Sequence, residues 1–224
     1  MVVNNKGGRL NCSYYIMMRS MKNTHIEHPE DSILTGDLSV LDWFIAESNI
    51  SAKIDGAPAI VWGTNPSNGK FFVGTKGIFA KNAKLNYTPE DIDRNHPGDG
   101  YESLNYKLKL CLQYLPELNI KGIVQGDLMY VPEQVKNETI DGVDYLIFKP
   151  NTIVYAVPKD SDLAKQISSS KLGIVFHTRY VGDSLPEMNA NFDVDVSQMT
   201  QTPNVWFRDA EYEDVSGSAS MTEK

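Results

Sequence analysis

The segment Lys53-Ile54-Asp55-Gly56 brings an amine, a carboxylate and a glycine together. Residues two apart on an extended strand share a face, so Lys53 and Asp55 would lie side by side. A lysine attacks only as the free amine, and its ordinary pKa is about 10.4. Desolvation at a core strand, or a neighbouring cation, would lower that value and make Lys53 a nucleophile. In the charged form it is a phosphate ligand. Gly56 marks a point where a backbone turns or comes close to a ligand. The apolar run Ala59-Ile60-Val61-Trp62 reads as a buried strand, with Lys53 held at its end. The same residues also fit a surface lysine paired with an aspartate. The segments around them bear on the choice.

Several elements would have to position this group. Asp37 or Gly36 is placed to cap a helix over Leu38–Glu47. Its Leu38, Leu41, Phe44 and Ile45 form one apolar face, expected to lie on a core. A turn cluster at Asn65–Gly69 predicts a hairpin between the Ala59 strand and Lys70–Gly77. A helical turn is expected after Pro89, and a helix over Tyr101–Leu115 with Leu104, Leu108, Cys111, Leu112 and Leu115 as its apolar stripe. Lys121–Tyr130 reads as a buried strand with an acid, Asp127, in it. Asp141-Gly142 signals another hairpin. Strands follow at Tyr145–Phe148, Thr152–Val157, Leu172–Tyr180 and Asn204–Phe207, with a short helix at Asp160–Ser169. About seven or eight strands with two or three helices, mostly hairpin-linked, argue for an α+β fold of mainly antiparallel sheets.

The bulk properties narrow the function classes. The chain has 224 residues, 41% hydrophobic and 22% charged, which suits a soluble globular protein with ample core. A net charge of -8 argues against tight, non-specific duplex binding by the whole surface. It leaves room for a local basic groove. The two cysteines, Cys12 and Cys111, show no metal spacing and imply no disulfide framework, so a reduced, cytoplasmic setting is expected. No apolar run is long enough to span a membrane. His25 and His28 form an H-x-x-H pair, but Pro29 disfavours a helix there and no third ligand is evident, so a polar loop is the simpler reading. Residues 1–24 are expected to be an N-terminal extension, and 211–224 a disordered polar tail.

The order of these segments resembles the covalent nucleotidyltransferase superfamily, which comprises ATP-dependent DNA ligases, RNA ligases and mRNA capping enzymes. The resemblance covers residues 25–210 and implies an ATP-grasp-like, DNA-ligase-type nucleotidyltransferase domain. Lys53, Asp55 and Gly56 match its K-x-D-G motif. Gly74-Thr75-Lys76-Gly77 resembles the basic motif on the next strand, and Gln125-Gly126-Asp127-Leu128 the D-G-E-L motif, with Asp127 in place of glutamate. Leu172-Gly173-Ile174-Val175 is similar to the E-G-x-V strand. The resemblance implies that Lys53 attacks the α-phosphorus of ATP or GTP to form a lysine–NMP adduct. It also implies Mg²⁺ on Asp127, Lys76 on phosphate or ribose, and Tyr155, or else Phe148, stacked on the base. His177 and Arg179, two apart and so expected on one face, would clamp the phosphates. RNA or DNA ends would then receive the nucleotide. The stretch from about residue 25 to 182 also resembles a group of tailed-phage proteins with K-x-D-G-A-P-A, F-F-V-x-T-K, Q-G-D-L and G-I-V-F-H-T motifs, which implies a viral origin and the host cytoplasm.

The match has gaps. Pro58 stands where ligases often carry arginine, and Leu172 stands where the family has a metal-binding glutamate. The downstream K-x-K pair has no counterpart, and the stretch after Arg179 is short for the OB-fold that many ligases add. A catalytically degenerate phage structural or accessory protein that kept the fold is therefore the alternative to an active enzyme.

Overall fold

The computed structural model describes residues 29–45, 48–49, 52–191, 194–212 and 218–219. The His25/His28 pair and the expected N-terminal extension lie outside them. In chain order, helices α1 (Pro29–Leu34) and α2 (Ser39–Ile45) precede strands β1 (Ser48–Asn49), β2 (Ala52–Lys53), β3 (Ala59–Thr64) and β4 (Phe71–Gly74). Helices α3 (Pro89–Asn95) and α4 (Leu104–Tyr114) lead to β5 (Ile123–Tyr130). A small sheet follows, β6 (Lys136–Ile140), β7 (Val143–Phe148) and β8 (Tyr155–Pro158), and then α5 (Asp162–Ser169). The chain continues through β9 (Leu172–Val181), β10 (Asn189–Asn191), β11 (Val205–Asp209), β12 (Glu211–Tyr212) and β13 (Ser218–Ala219). The fold is α+β with mainly antiparallel sheets.

Helices begin where the sequence supplies caps. Thr88 and Asp91 make a reciprocal capping box ahead of α3, with Pro89 in the first turn. The hydroxyls of Ser103 and Ser161 accept from the Tyr106 and Ala164 N–H groups and start α4 and α5. The predicted stripe of α4 is the buried one: Leu108, Cys111 and Leu115 are fully covered, and Leu104 and Leu112 pack against the same cluster.

The central sheet runs β10–β9–β5–β3–β4, and β11 pairs with β9 in parallel while its other pairs are antiparallel. Every residue of β5 is buried, so both sheet faces are covered. Val124 and Leu128 of β5 point toward α4, into a cluster with Ile60, Trp62, Ile174 and Phe176. On the opposite face, Ile123 belongs to one apolar cluster with Val61, Phe72 and Tyr180. Met129 belongs to a second, under the small sheet, with Phe148, Val157 and Val175. Gln125 and Asp127 fall between those two clusters, so this face carries a polar strip.

Some expectations are corrected. The helix predicted over Leu38–Glu47 spans Ser39–Ile45, and its expected apolar face is mostly open: Leu38 is 59% exposed, Leu41 and Ile45 are also exposed, and Phe44 is half-buried. Asp37 does hold its start, accepting from the Ser39 N–H at 3.0 Å. The segment expected to be a disordered tail contributes two short strands: β12 pairs with β2 and β13 with β1. No described helix is long and apolar enough to cross a membrane.

Candidate functional site

Lys53 does not continue the core strand as expected. It sits in its own short strand, with Glu211 as its register partner, and the chain then turns through Asp55–Pro58 before β3 begins. The turn is suspended from several elements. The Ile54 N–H donates to the Ala210 carbonyl (2.7 Å), and the Ala57 N–H to the Leu128 carbonyl (2.9 Å). A Cβ on Gly56 would come within 2.6 Å of the Leu128 carbonyl oxygen, so only glycine lets the turn lie this close to β5.

The geometry brings Lys53, Asp55, Asp127 and His177 together. Lys53 Nζ lies 3.0 Å from Asp55 Oδ1 and 3.5 Å from Asp127 Oδ2. His177 Nε2 lies 3.3 Å from Asp127 Oδ1, and its Nδ1 lies 2.7 Å from Thr178 Oγ1. An ionised Asp127 accepts from Nε2–H, so the longer 3.5 Å approach of Gln125 Nε2 to the same nitrogen is not a hydrogen bond of that tautomer. Gln125 is held instead by Tyr180, whose hydroxyl donates to Oε1 at 2.6 Å.

A β-bulge explains why His177 is there. Gln125 pairs with Thr178 and Gly126 with Phe176, so His177 is the extra residue of β9. Such a bulge re-aims a side chain and breaks the two-residue alternation. It also separates His177 from Arg179. Arg179 pairs with Val124, whose side chain faces α4, so Arg179 belongs to the other sheet face and is exposed. The expectation that the two share a face is therefore corrected.

The other predicted residues are placed as follows. Lys76 was expected on a strand but begins a 3-10 turn (Lys76–Phe79) just after β4 and is exposed. Gly74 pairs with Val61, which pairs with Gln125, so Lys76 leaves the sheet toward the end where Asp127 lies. Phe148 and Tyr155 stack on each other, with centroids 5.5 Å apart at 14°. The Tyr155 hydroxyl both accepts from the Asp55 N–H (3.0 Å) and donates to the Asp55 carbonyl (2.7 Å). Leu172 is buried in the α4-side cluster, so the position expected to hold a metal-binding glutamate is not beside Asp127. Sequence reasoning missed Asn151, whose Nδ2 donates to Asp55 Oδ2 at 2.8 Å. No motif points to it, because a lone loop asparagine carries no pattern.

The electrostatics divide the cluster in two. Lys53 and Asp55 side chains are 45% and 48% exposed, so the expected desolvation of Lys53 is not seen. Asp127 and His177 are largely covered. Burial alone would raise the Asp127 carboxyl. The His177 hydrogen bond and charge, the Lys53 charge and the Gly56 N–H outweigh it and hold the group below the ordinary carboxylate value.

Among the described residues no cluster of three or more His, Cys, Asp or Glu side chains is arranged for a metal. Asp127 offers one hard carboxylate, with Oδ2 only loosely engaged by Lys53. That donor set fits Mg²⁺ of the kind that takes one or two carboxylates and completes its shell with phosphate oxygens and water.

Two clefts lie elsewhere. One of about 1050 Å³ runs beside β11, and one of about 630 Å³ lies between α5 and the small sheet. No predicted site residue lines either. The β11 cleft has Asp195, Arg208 and Asp209 in its wall and no lysine or histidine.

The comparisons with known proteins give a family and no activity. A family model described as "Family of unknown function (DUF6267)" matches residues 23–224. The chain belongs to this family. No curated protein and no solved structure matches it. For this DUF6267 chain, functional reasoning therefore rests on the cluster itself.

Proposed function

We propose that this protein binds ATP and transfers its AMP moiety through Lys53, in the manner of the ligase and capping-enzyme superfamily, with RNA or DNA ends as acceptors. The observation that carries the reading is the convergence of Lys53, Asp55 and Asp127, which come from β2, the turn after it and the middle of the central sheet. Lys53, as the free amine, leaves Asp127 and attacks the α-phosphorus while it stays within reach of Asp55. An N–P bond forms as the bond from that phosphorus to the leaving pyrophosphate breaks. The proton shed by the nitrogen passes to Asp55, whose Oδ1 lies 3.0 Å away. Asp127 would hold Mg²⁺, which supplies charge neutralisation for the phosphates when bound. His177 orients Asp127 through Nε2 and is itself held by Thr178 at Nδ1. Lys76 and Arg179 are left outside the immediate cluster.

The second reading is a phage structural or accessory protein that kept the fold without the reaction. It is favoured by the exposure of Lys53 and by Leu172 in the place of the family's glutamate. Incubation with α-labelled ATP or GTP and Mg²⁺ separates the two. The first reading expects a label that is stable to alkali and labile to acid, as a phosphoramidate is, and absent in Lys53→Ala. A folded protein that takes no label from any nucleotide supports the second.

A further inference from the structure

We propose that Tyr155 and Asn151 form a clamp by which the small sheet fixes the Lys53–Gly56 turn, and that Tyr155 is a positioning residue for Lys53 rather than a platform for a base. The inference rests on the transfer reading above and assigns the small sheet a part in it.

The backbone of the turn is the starting point. The N–H groups of Ile54 and Ala57 are taken by the carbonyls of Ala210 and Leu128. The Asp55 N–H and carbonyl are both taken by one phenol, that of Tyr155, a hundred residues away in sequence. A hydroxyl can accept and donate at once, and no apolar side chain can replace it there. The ring is fixed in turn. It stacks on Phe148, itself buried among Met129, Tyr130 and Val157. One ring face is thereby occupied and the hydroxyl is consumed.

Asn151 completes the grip. Its Nδ2 binds Asp55 Oδ2, and its Oδ1 accepts from the Ile153 N–H at 2.8 Å, so the side chain is held at both ends. Asp55 Oδ1 is left for Lys53 at 3.0 Å. With backbone and one carboxylate oxygen both anchored, Asp55 presents the other oxygen to Lys53 in a single orientation. That is the pre-organisation a transfer step needs, and it costs nothing at the moment of reaction.

Tyr155→Phe keeps the ring and the stacking while removing the hydroxyl. The clamp predicts that exchange of the Asp55 amide hydrogen rises about tenfold or more, the worth of one or two hydrogen bonds. It also predicts that the rate of Lys53 labelling at saturating ATP falls about tenfold, while the half-saturating ATP concentration stays within about twofold. Asn151→Ala leaves Tyr155 untouched and is expected to slow labelling by a smaller factor. It keeps the idea testable if Tyr155→Phe does not fold. Wild-type exchange in Tyr155→Phe overturns the clamp. So does Tyr155→Phe behaving as wild type while Tyr155→Leu raises the half-saturating ATP concentration, which is the signature of a base platform. If the wild-type protein takes no label, the transfer reading fails by itself and Asp55 exchange still decides the clamp.

Discussion

The two faces of the central sheet are built to different ends. Toward α4, the side chains of Ile60, Trp62, Val124, Leu128, Ile174 and Phe176 form one buried apolar cluster, and the charged residue in these rows, Arg179, is exposed. On the other face the apolar rows are interrupted by Gln125, Asp127, His177 and Thr178, between the cluster around Phe72 and the cluster under the small sheet. The first arrangement maximises burial. The second tolerates a buried carboxylate and needs a histidine, a lysine and a backbone N–H to hold it. Polar groups kept in a core at such a cost are where chemistry is sought.

The largest effect expected from breaking this contrast is on the α4 side. Phe176→Ala should cost about 3–5 kcal/mol of stability in chemical denaturation, because its ring contacts Trp62 and Phe207 in full burial. A cost under about 1 kcal/mol would show that this face is not the main core.

A smaller effect is expected from the buried half of the polar strip. Asp127→Asn should cost about 1–3 kcal/mol at neutral pH by removing a charged acceptor from His177 and Lys53. The pH dependence has a definite sign. Asp127 titrates lower folded than unfolded, so its contribution is present above the ordinary carboxylate value and is lost as pH falls toward the folded one. Wild type should therefore lose stability in acid over a window in which Asp127→Asn loses less. Parallel acid curves for the two proteins would show that the carboxylate is not held as described.

The smallest effect belongs to the exposed half. Lys53→Ala should change stability by less than about 1 kcal/mol, as half-exposed ion pairs do, while abolishing any nucleotide label. A large stability loss would make Lys53 a structural ion-pair partner and weaken the case for chemistry.

Much of the framework was legible in the sequence. The Asn65–Gly69 and Asp141-Gly142 hairpins, the α4 stripe and the apolar strands β5 and β9 depend on patterns within about ten residues, which turn chemistry and periodicity encode. The convergence of Lys53 and Asp127 followed from matching segment order. The exposure of Leu38, Leu41 and Ile45 was not legible, because an amphipathic pattern states which side is apolar, not how much of it is covered.

The sequence by itself determined which residues could carry chemistry and which segments are strands, because residue type and local period are properties of short stretches. Only the tertiary structure decided how those residues face one another. His177 reaches Asp127, and Arg179 does not, because β9 holds one residue more than β5 between two paired positions. Lys53 is half open because its strand is paired with Glu211 at the far end of the chain rather than with the core. Tyr155 grips Asp55 across a hundred residues. Each of these is a count or contact between distant segments, and no local pattern contains it.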